Sequence, residues 1–90
     1  MTLDDRVRIP KEVVSRTVGD ETVLLNLETQ SYYGLDPVGG RVWTLLGETG
    51  NLRAVFESMA SEYEVAEQDL ERDILRLVLE LHAKGLLQSL

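Results

Sequence analysis

The sequence predicts an α+β fold of winged helix-turn-helix type, a three-stranded antiparallel sheet followed by three helices in the order β-β-β-α-α-α. Three observations predict it. Between Lys11 and Leu35 the apolar residues follow a strand-like pattern broken by two turn-forming stretches. From Asp36 onward the apolar period becomes helical. The last two helical stretches are separated by only a short connection, as in a helix-turn-helix. The length of 90 residues suits one domain over 1–90, with no repeat, linker or low-complexity tract.

Val13, Val14, Arg16 and Val18 lie in a run rich in β-branched residues, and Gly19-Asp20 supplies a turn. Thr22 to Leu27 follows, with Val23, Leu25 and Leu27 alternating and expected on one face. Glu28-Thr29-Gln30 is a second polar connection. Ser31 to Leu35 reads as the third strand, with Tyr33 and Leu35 on one face and Tyr32 on the other. Short strands joined by tight turns pair antiparallel. Such a meander has two edges, and an unpaired edge is a template for another strand.

Asp36 is a good N-cap, and Pro37 suits the first helical position. Val38, Val42, Leu45 and Leu46 recur on one face of this first helix, which Gly47 to Gly50 ends. Trp43 beside that stripe is read as core. Gly39-Gly40 is expected to give tight helix–sheet packing rather than a binding surface, since bare backbone packs closely. Asn51 is placed to cap the second helix, whose inner face carries Leu52, Val55, Phe56, Met59 and Tyr63. The third helix spans about Glu67 to Lys84. Gly85 and Leu86 signal its end, while Ala66 is a weak cap at its start.

On a helical wheel, Leu70, Ile74, Leu77, Val78 and Leu81 form the core stripe of this third helix. Leu75 and Leu79 lie outside it, next to Arg72 and Arg76. Covering the sheet is the ordinary use for such residues. A groove that takes an apolar partner is the functional one.

Composition removes several function classes. There is no cysteine, so a disulfide scaffold, a thiolate metal site and a cysteine nucleophile are excluded. One histidine, His82, makes no metal cluster, and no serine or carboxylate stands at a spacing that would form a catalytic set with it. Phosphate-loop, dinucleotide and EF-hand patterns are absent. No cofactor and no catalysis are expected. The 16 acidic residues against 9 basic ones give a formal net charge of −7, which opposes nucleic acid. The third helix would present Glu67, Gln68, Asp69 and Glu71 where a recognition helix meets DNA. No signal peptide or membrane span is seen, and a cytoplasmic location is expected.

The stretches Leu24-Leu25-Asn26-Leu27-Glu28, Tyr32-Tyr33-Gly34-Leu35-Asp36, Gly39, Val42-Trp43 and Leu45-Leu46 resemble the PqqD-like family. So do Tyr63-Glu64-Val65 before an acidic third helix and the closing Lys84-Gly85-Leu86-Leu87. The resemblance spans about Val13 to Leu87. It departs at Ala66, where the family often has a capping residue, and at Gly40, where it often has a side chain. These are recognition elements for the leader peptides of ribosomally made, modified peptides. The Tyr-Tyr-Gly-Leu strand followed by Val-Trp is most similar to the free-standing recognition proteins of lasso peptide pathways.

The resemblance implies a non-catalytic adaptor. The leader peptide would add antiparallel to the third strand, along Gln30, Ser31, Tyr32, Tyr33, Gly34 and Leu35. Its side chains would enter a cleft against the third helix, walled by Leu75 and Leu79. A leader element Tyr-x-x-Pro suits an apolar pocket. Arg72 and Arg76 would meet leader acids, and Asp69 or Asp73 leader bases. The partner would be a separate leader peptidase, a cysteine protease. Three alternatives remain open: a PqqD-type peptide chaperone of pyrroloquinoline quinone biosynthesis, a winged-helix DNA-binding protein, and a module that forms a homodimer through its edge strand.

Overall fold

The computed structural model describes residues 1–90. Its element order is β1 (Val7–Arg8), β2 (Val13–Val18), β3 (Glu21–Asn26), β4 (Tyr32–Leu35), α1 (Pro37–Thr49), α2 (Leu52–Glu62), α3 (Glu67–Ala83) and β5 (Gln88–Ser89). Strands β2, β3 and β4 form the expected antiparallel meander in that spatial order, and three helices follow it. Gly19, at φ 66°, turns β2 into β3. This left-handed conformation favours glycine because it has no Cβ.

The β3–β4 connection is tighter than a polar linker. Gln30 adopts φ 64°, and its N–H donates to the Asn26 carbonyl at 2.7 Å. The strand therefore begins at Tyr32, with Gln30 in the turn and the Ser31 carbonyl accepting from Asn26 N–H at 2.9 Å just before it. The Asn26 carboxamide holds this turn together. Its Oδ1 accepts from the N–H groups of Glu28 (2.9 Å) and Thr29 (3.1 Å), and its Nδ2 donates to the Gly85 carbonyl (2.8 Å). A buried polar side chain is tolerable because it is fully partnered.

The register of β3 corrects one expectation. Val23 and Leu25 do share a face, but that face points away from the helices. Leu24 is fully buried, Asn26 is buried, and Leu27 is exposed. Leu24 pairs across to Tyr33 and Ser15 on the inner face, while Val14, Leu25 and Tyr32 align in one row on the outer face. A shift of one residue moves a whole strand from one face to the other. Leu24-Leu25 is apolar at both positions, so alternation alone could not choose between them.

Helix α1 begins as expected. Asp36 Oδ1 accepts from Gly39 N–H at 2.7 Å, Pro37 opens the helix, and Gly50 closes it at φ 65°. The glycine pair lets α1 lie directly on the sheet. A Cβ on Gly40 would stand 2.9 Å from Thr22 Oγ1, and one on Gly39 would stand 3.2 Å from Leu35 Cδ2. Val42, Leu45, Leu46 and Trp43 are buried, whereas Val38, expected in the same stripe, remains 45% exposed at the helix start. The bidentate Arg41–Glu62 pair, at 2.8 and 2.9 Å, ties α1 to the end of α2.

Helix α2 is capped by Asn51, whose side chain accepts from Ala54 N–H at 3.1 Å, and it buries Leu52, Val55 and Met59. Helix α3 has no side-chain cap at Ala66. It buries Leu70, Ile74, Val78 and Leu81, and Leu77 is only partly covered. Gly85 at φ 73° redirects the chain so that Leu86 and Leu87 enter the core. The two-residue strands β1 and β5 then pair antiparallel and bring the ends of the described chain together. Nothing in the local sequence pattern anticipated them. No helix is long and apolar enough to cross a membrane.

Candidate functional site

Ladder bonds in an antiparallel sheet alternate along each strand, so every second residue of an edge strand turns its N–H and C=O outward. Here Asn26 N–H donates to the Ser31 carbonyl, and Leu27 N–H donates to the Glu12 carbonyl, both at 2.9 Å. Combined with the register, this assigns the even residues of β3 to β4 and the odd residues to β2. On β4, Tyr33 and Leu35 therefore bond to β3. Tyr32 and Gly34 direct their backbone groups away from the sheet. Nothing pairs with that side of β4. Around Gly34 a Cβ would meet no atom within 4 Å, so the edge is sterically open.

The other edge, on β2, is also unpaired. What distinguishes β4 is the cleft beside it. This cleft has a volume of about 720 Å³ and is lined mostly by hydrophobic residues. Tyr33, Gly34 and Leu35 form its sheet wall, and Val38, Gly39 and Val42 come from α1. Met59 and Tyr63 come from α2 and its end, and Val65 and Ala66 from the α2–α3 connection. The facing wall is α3, through Asp69, Leu70, Arg72, Asp73, Ile74 and Leu77. The size falls in the range of small-molecule and side-chain pockets. Val65, 53% exposed, and Val38 are apolar lining residues open to solvent.

Six of the twelve expected residues meet here, and Gln30, Ser31, Tyr32, Leu75, Arg76 and Leu79 do not. Tyr33, Gly34, Leu35, Asp69, Arg72 and Asp73 line the cleft. Leu75 and Leu79 are not part of its wall. Each lies two residues from Leu77, hence about 160° away around the helix. Leu75 is half-buried against the core, and Leu79 is 51% exposed. Arg76 is also absent from the lining. Tyr32 projects from the outer face of the sheet and is 72% exposed, so only its backbone bears on the edge. Val38, Tyr63, Val65 and Leu77 as cleft residues, and Glu80 beside it, were not anticipated. The valines flanking two helix starts, Val38 and Val65, were the available signal.

The two arginines of α3 already have partners. Arg72 lies 3.3 Å from Asp69 and 3.5 Å from Asp73, and Arg76 lies 3.5 Å from Asp73. These exposed pairs are weak, so a bound chain could exchange with them at small cost. The Tyr33 hydroxyl donates to the Glu80 carboxylate across from β4 to α3. That hydrogen bond, with burial and the negative charges of Glu80 and Asp36, holds the Tyr33 pKa above its ordinary value. The Arg41 guanidinium holds the Glu62 carboxyl below the usual range. His82 is exposed, and no group of three or more His, Asp or Glu side chains is placed to hold a metal ion.

Residues 21–87 match the family described as Coenzyme PQQ synthesis protein D (PqqD). No curated protein matches the sequence. Two solved structures are similar. One, "TbiB1 in Complex with the TbiA(beta) Leader Peptide", is 40% identical with a TM-score of 0.82, covering 89% of this chain and 93% of that one. The other, "Lasso peptide synthetase B1 complexed with the leader peptide", is 26% identical with a TM-score of 0.73, covering 94% of this chain and 98% of that one. The sheet, the three helices and the matched span agree: the chain belongs to the PqqD family and is a PqqD-like recognition element.

Proposed function

We propose that this protein is the leader-peptide adaptor of a lasso-type biosynthetic pathway. The leader adds as an antiparallel strand to β4, and its alternate side chains enter the cleft between β4 and α3. Main-chain bonds supply affinity and the pockets supply specificity, as in other cases of strand addition. One observation carries the reading: the outward backbone groups of Tyr32 and Gly34 stand beside the apolar cleft. Both similar structures are of proteins in complex with leader peptides, and both resemble this chain over most of its length.

In this role the protein performs no chemistry. It holds the precursor and presents it to a separate leader peptidase, a cysteine protease. The acids of α3, on a chain of net charge −7, weigh against the DNA-binding alternative.

Isothermal titration tests the binding step, using Tyr-x-x-Pro leader peptides and the TbiA(beta) leader peptide. The expected result is saturable one-to-one binding that a scrambled peptide lacks. Binding of none of them by the folded protein rejects the adaptor reading. Retention of duplex DNA at low salt would favour the winged-helix alternative instead. For delivery, a precursor mixed with this protein alone stays intact. Adding the peptidase should cleave it faster than the peptidase does alone.

A further inference from the structure

We propose that Tyr33 is a positioning residue that, through Glu80, fixes the distance between the two walls of the cleft. This rests on the reading of the cleft as the leader site. The Tyr33–Glu80 hydrogen bond is the one side-chain hydrogen bond that joins β4 to α3. A second polar link, Asn26 Nδ2 to the Gly85 carbonyl at 2.8 Å, lies just past the end of the same helix. Both links sit toward the C-terminal end of α3.

The other end of α3 has no such link. Ala66 makes no side-chain cap, and Arg41–Glu62 joins α1 to α2. Arg72 and Arg76 pair with carboxylates of α3 itself. The helix is thus pinned by polar contacts at one end and held only by apolar packing at the other. The lining of the cleft stops at Leu77 on α3 and at Tyr33 on β4. Glu80 lies one turn beyond Leu77. The tie therefore holds the walls together at the pinned end and leaves the far end of the cleft, at Val38 and Val65, free to adjust to the leader.

A protein whose binding-competent form is only partly populated binds more weakly in proportion. Loss of the tie lets the walls drift apart. A fall of the competent fraction to about a tenth would weaken leader binding about tenfold. A hydroxyl with a merely structural role would alter stability and leave the affinity of the folded protein alone.

Titration with the TbiA(beta) leader peptide is the test, on wild type, Tyr33→Phe, Glu80→Leu, Glu80→Gln and the double variant Tyr33→Phe/Glu80→Leu. Tyr33→Phe and Glu80→Leu should each weaken binding about tenfold, and the double variant no further. Glu80→Gln keeps an acceptor for the phenol and should bind close to wild type. Without peptide, Tyr33→Phe should shift the amide resonances of Leu77 to Leu81. Wild-type affinity in folded Tyr33→Phe, or single losses that add in the double variant, overturns the positioning role alone. If wild type binds neither this peptide nor any Tyr-x-x-Pro leader, the leader-site reading fails and the positioning role falls with it.

Discussion

Replacing Gly34 by proline separates strand addition from every other way of occupying the cleft. The Gly34 N–H points away from β3, so a proline there removes no bond of the existing ladder. Proline is tolerated on an edge strand at such a position, and it favours an extended residue before it, which Tyr33 already is. The incoming strand loses one main-chain bond, worth about 0.5–1.5 kcal/mol net, and strands a leader carbonyl at about 1–3 kcal/mol. Together these amount to about 1.5–4.5 kcal/mol, or roughly tenfold to a thousandfold in Kd at about 1.4 kcal/mol per tenfold. Gly34→Ala is the control. It keeps the N–H and adds a methyl into space with no atom within 4 Å. Titration of leader peptide into each variant, beside a thermal melt, reads the difference. Alanine should bind like wild type. A folded Gly34→Pro protein that binds within twofold of wild type would refute the edge argument.

Further outcomes follow from the same geometry. Leu77→Arg, on the cleft wall, should abolish leader binding, while Leu79→Arg, about 160° around α3 from it, should leave affinity unchanged; titration of both variants compares the two flanks. Asn26→Ala removes three hydrogen bonds of a buried side chain and should destabilise by about 2–4 kcal/mol. A melt should show a drop in Tm of about 8–32 °C for a chain of this size. The Tyr33 pKa is raised above 10.0 in the fold by Glu80. Its stabilisation is therefore complete below the unfolded pKa and lost as pH rises through the folded one. Denaturant titrations should show part of the alkaline loss of stability disappear in Tyr33→Phe. Glu62, held low by Arg41, has the opposite sign, and its small contribution is lost as pH falls through the folded pKa.

Periodicity carried most of the fold. Asp36, Pro37, Asn51 and Gly85 are local signals with local causes, and each lies where its chemistry requires. The failures have a common origin in long-range packing. Leu24 and Leu25 are alike to any pattern, and the partners of Asn26 are what turn the even residues of β3 inward. Gln30 is an unusual residue for a left-handed turn, and the third strand, expected from Ser31, begins one residue later at Tyr32. β1 and β5 pair across nearly the whole chain and are two residues each, too short to carry a period.

Half of the expected site residues, six of twelve, line the cleft. The Tyr-Tyr-Gly-Leu edge was visible in the strand pattern and Arg72 on the helical wheel, whereas Asp69 and Asp73 came only from the resemblance. Which flank of α3 forms the cleft was not. A helical wheel shows that Leu75 and Leu79 lie outside the core stripe, but not on which side the sheet passes. The sheet passes on the side of Leu77 and Glu80. Leu75 covers the core, and an isolated exposed leucine such as Leu79 is ordinary.

Hydrogen exchange of individual amides on β4, with and without leader peptide, tests the central claim most directly. In the free protein the Tyr33 and Leu35 amides should already be protected by β3, and those of Tyr32 and Gly34 should exchange fast. Saturation with a leader peptide should bring Tyr32 and Gly34 up to the protection of their neighbours. Tyr32 and Gly34 amides that still exchange fast in the saturated complex would contradict strand addition at β4.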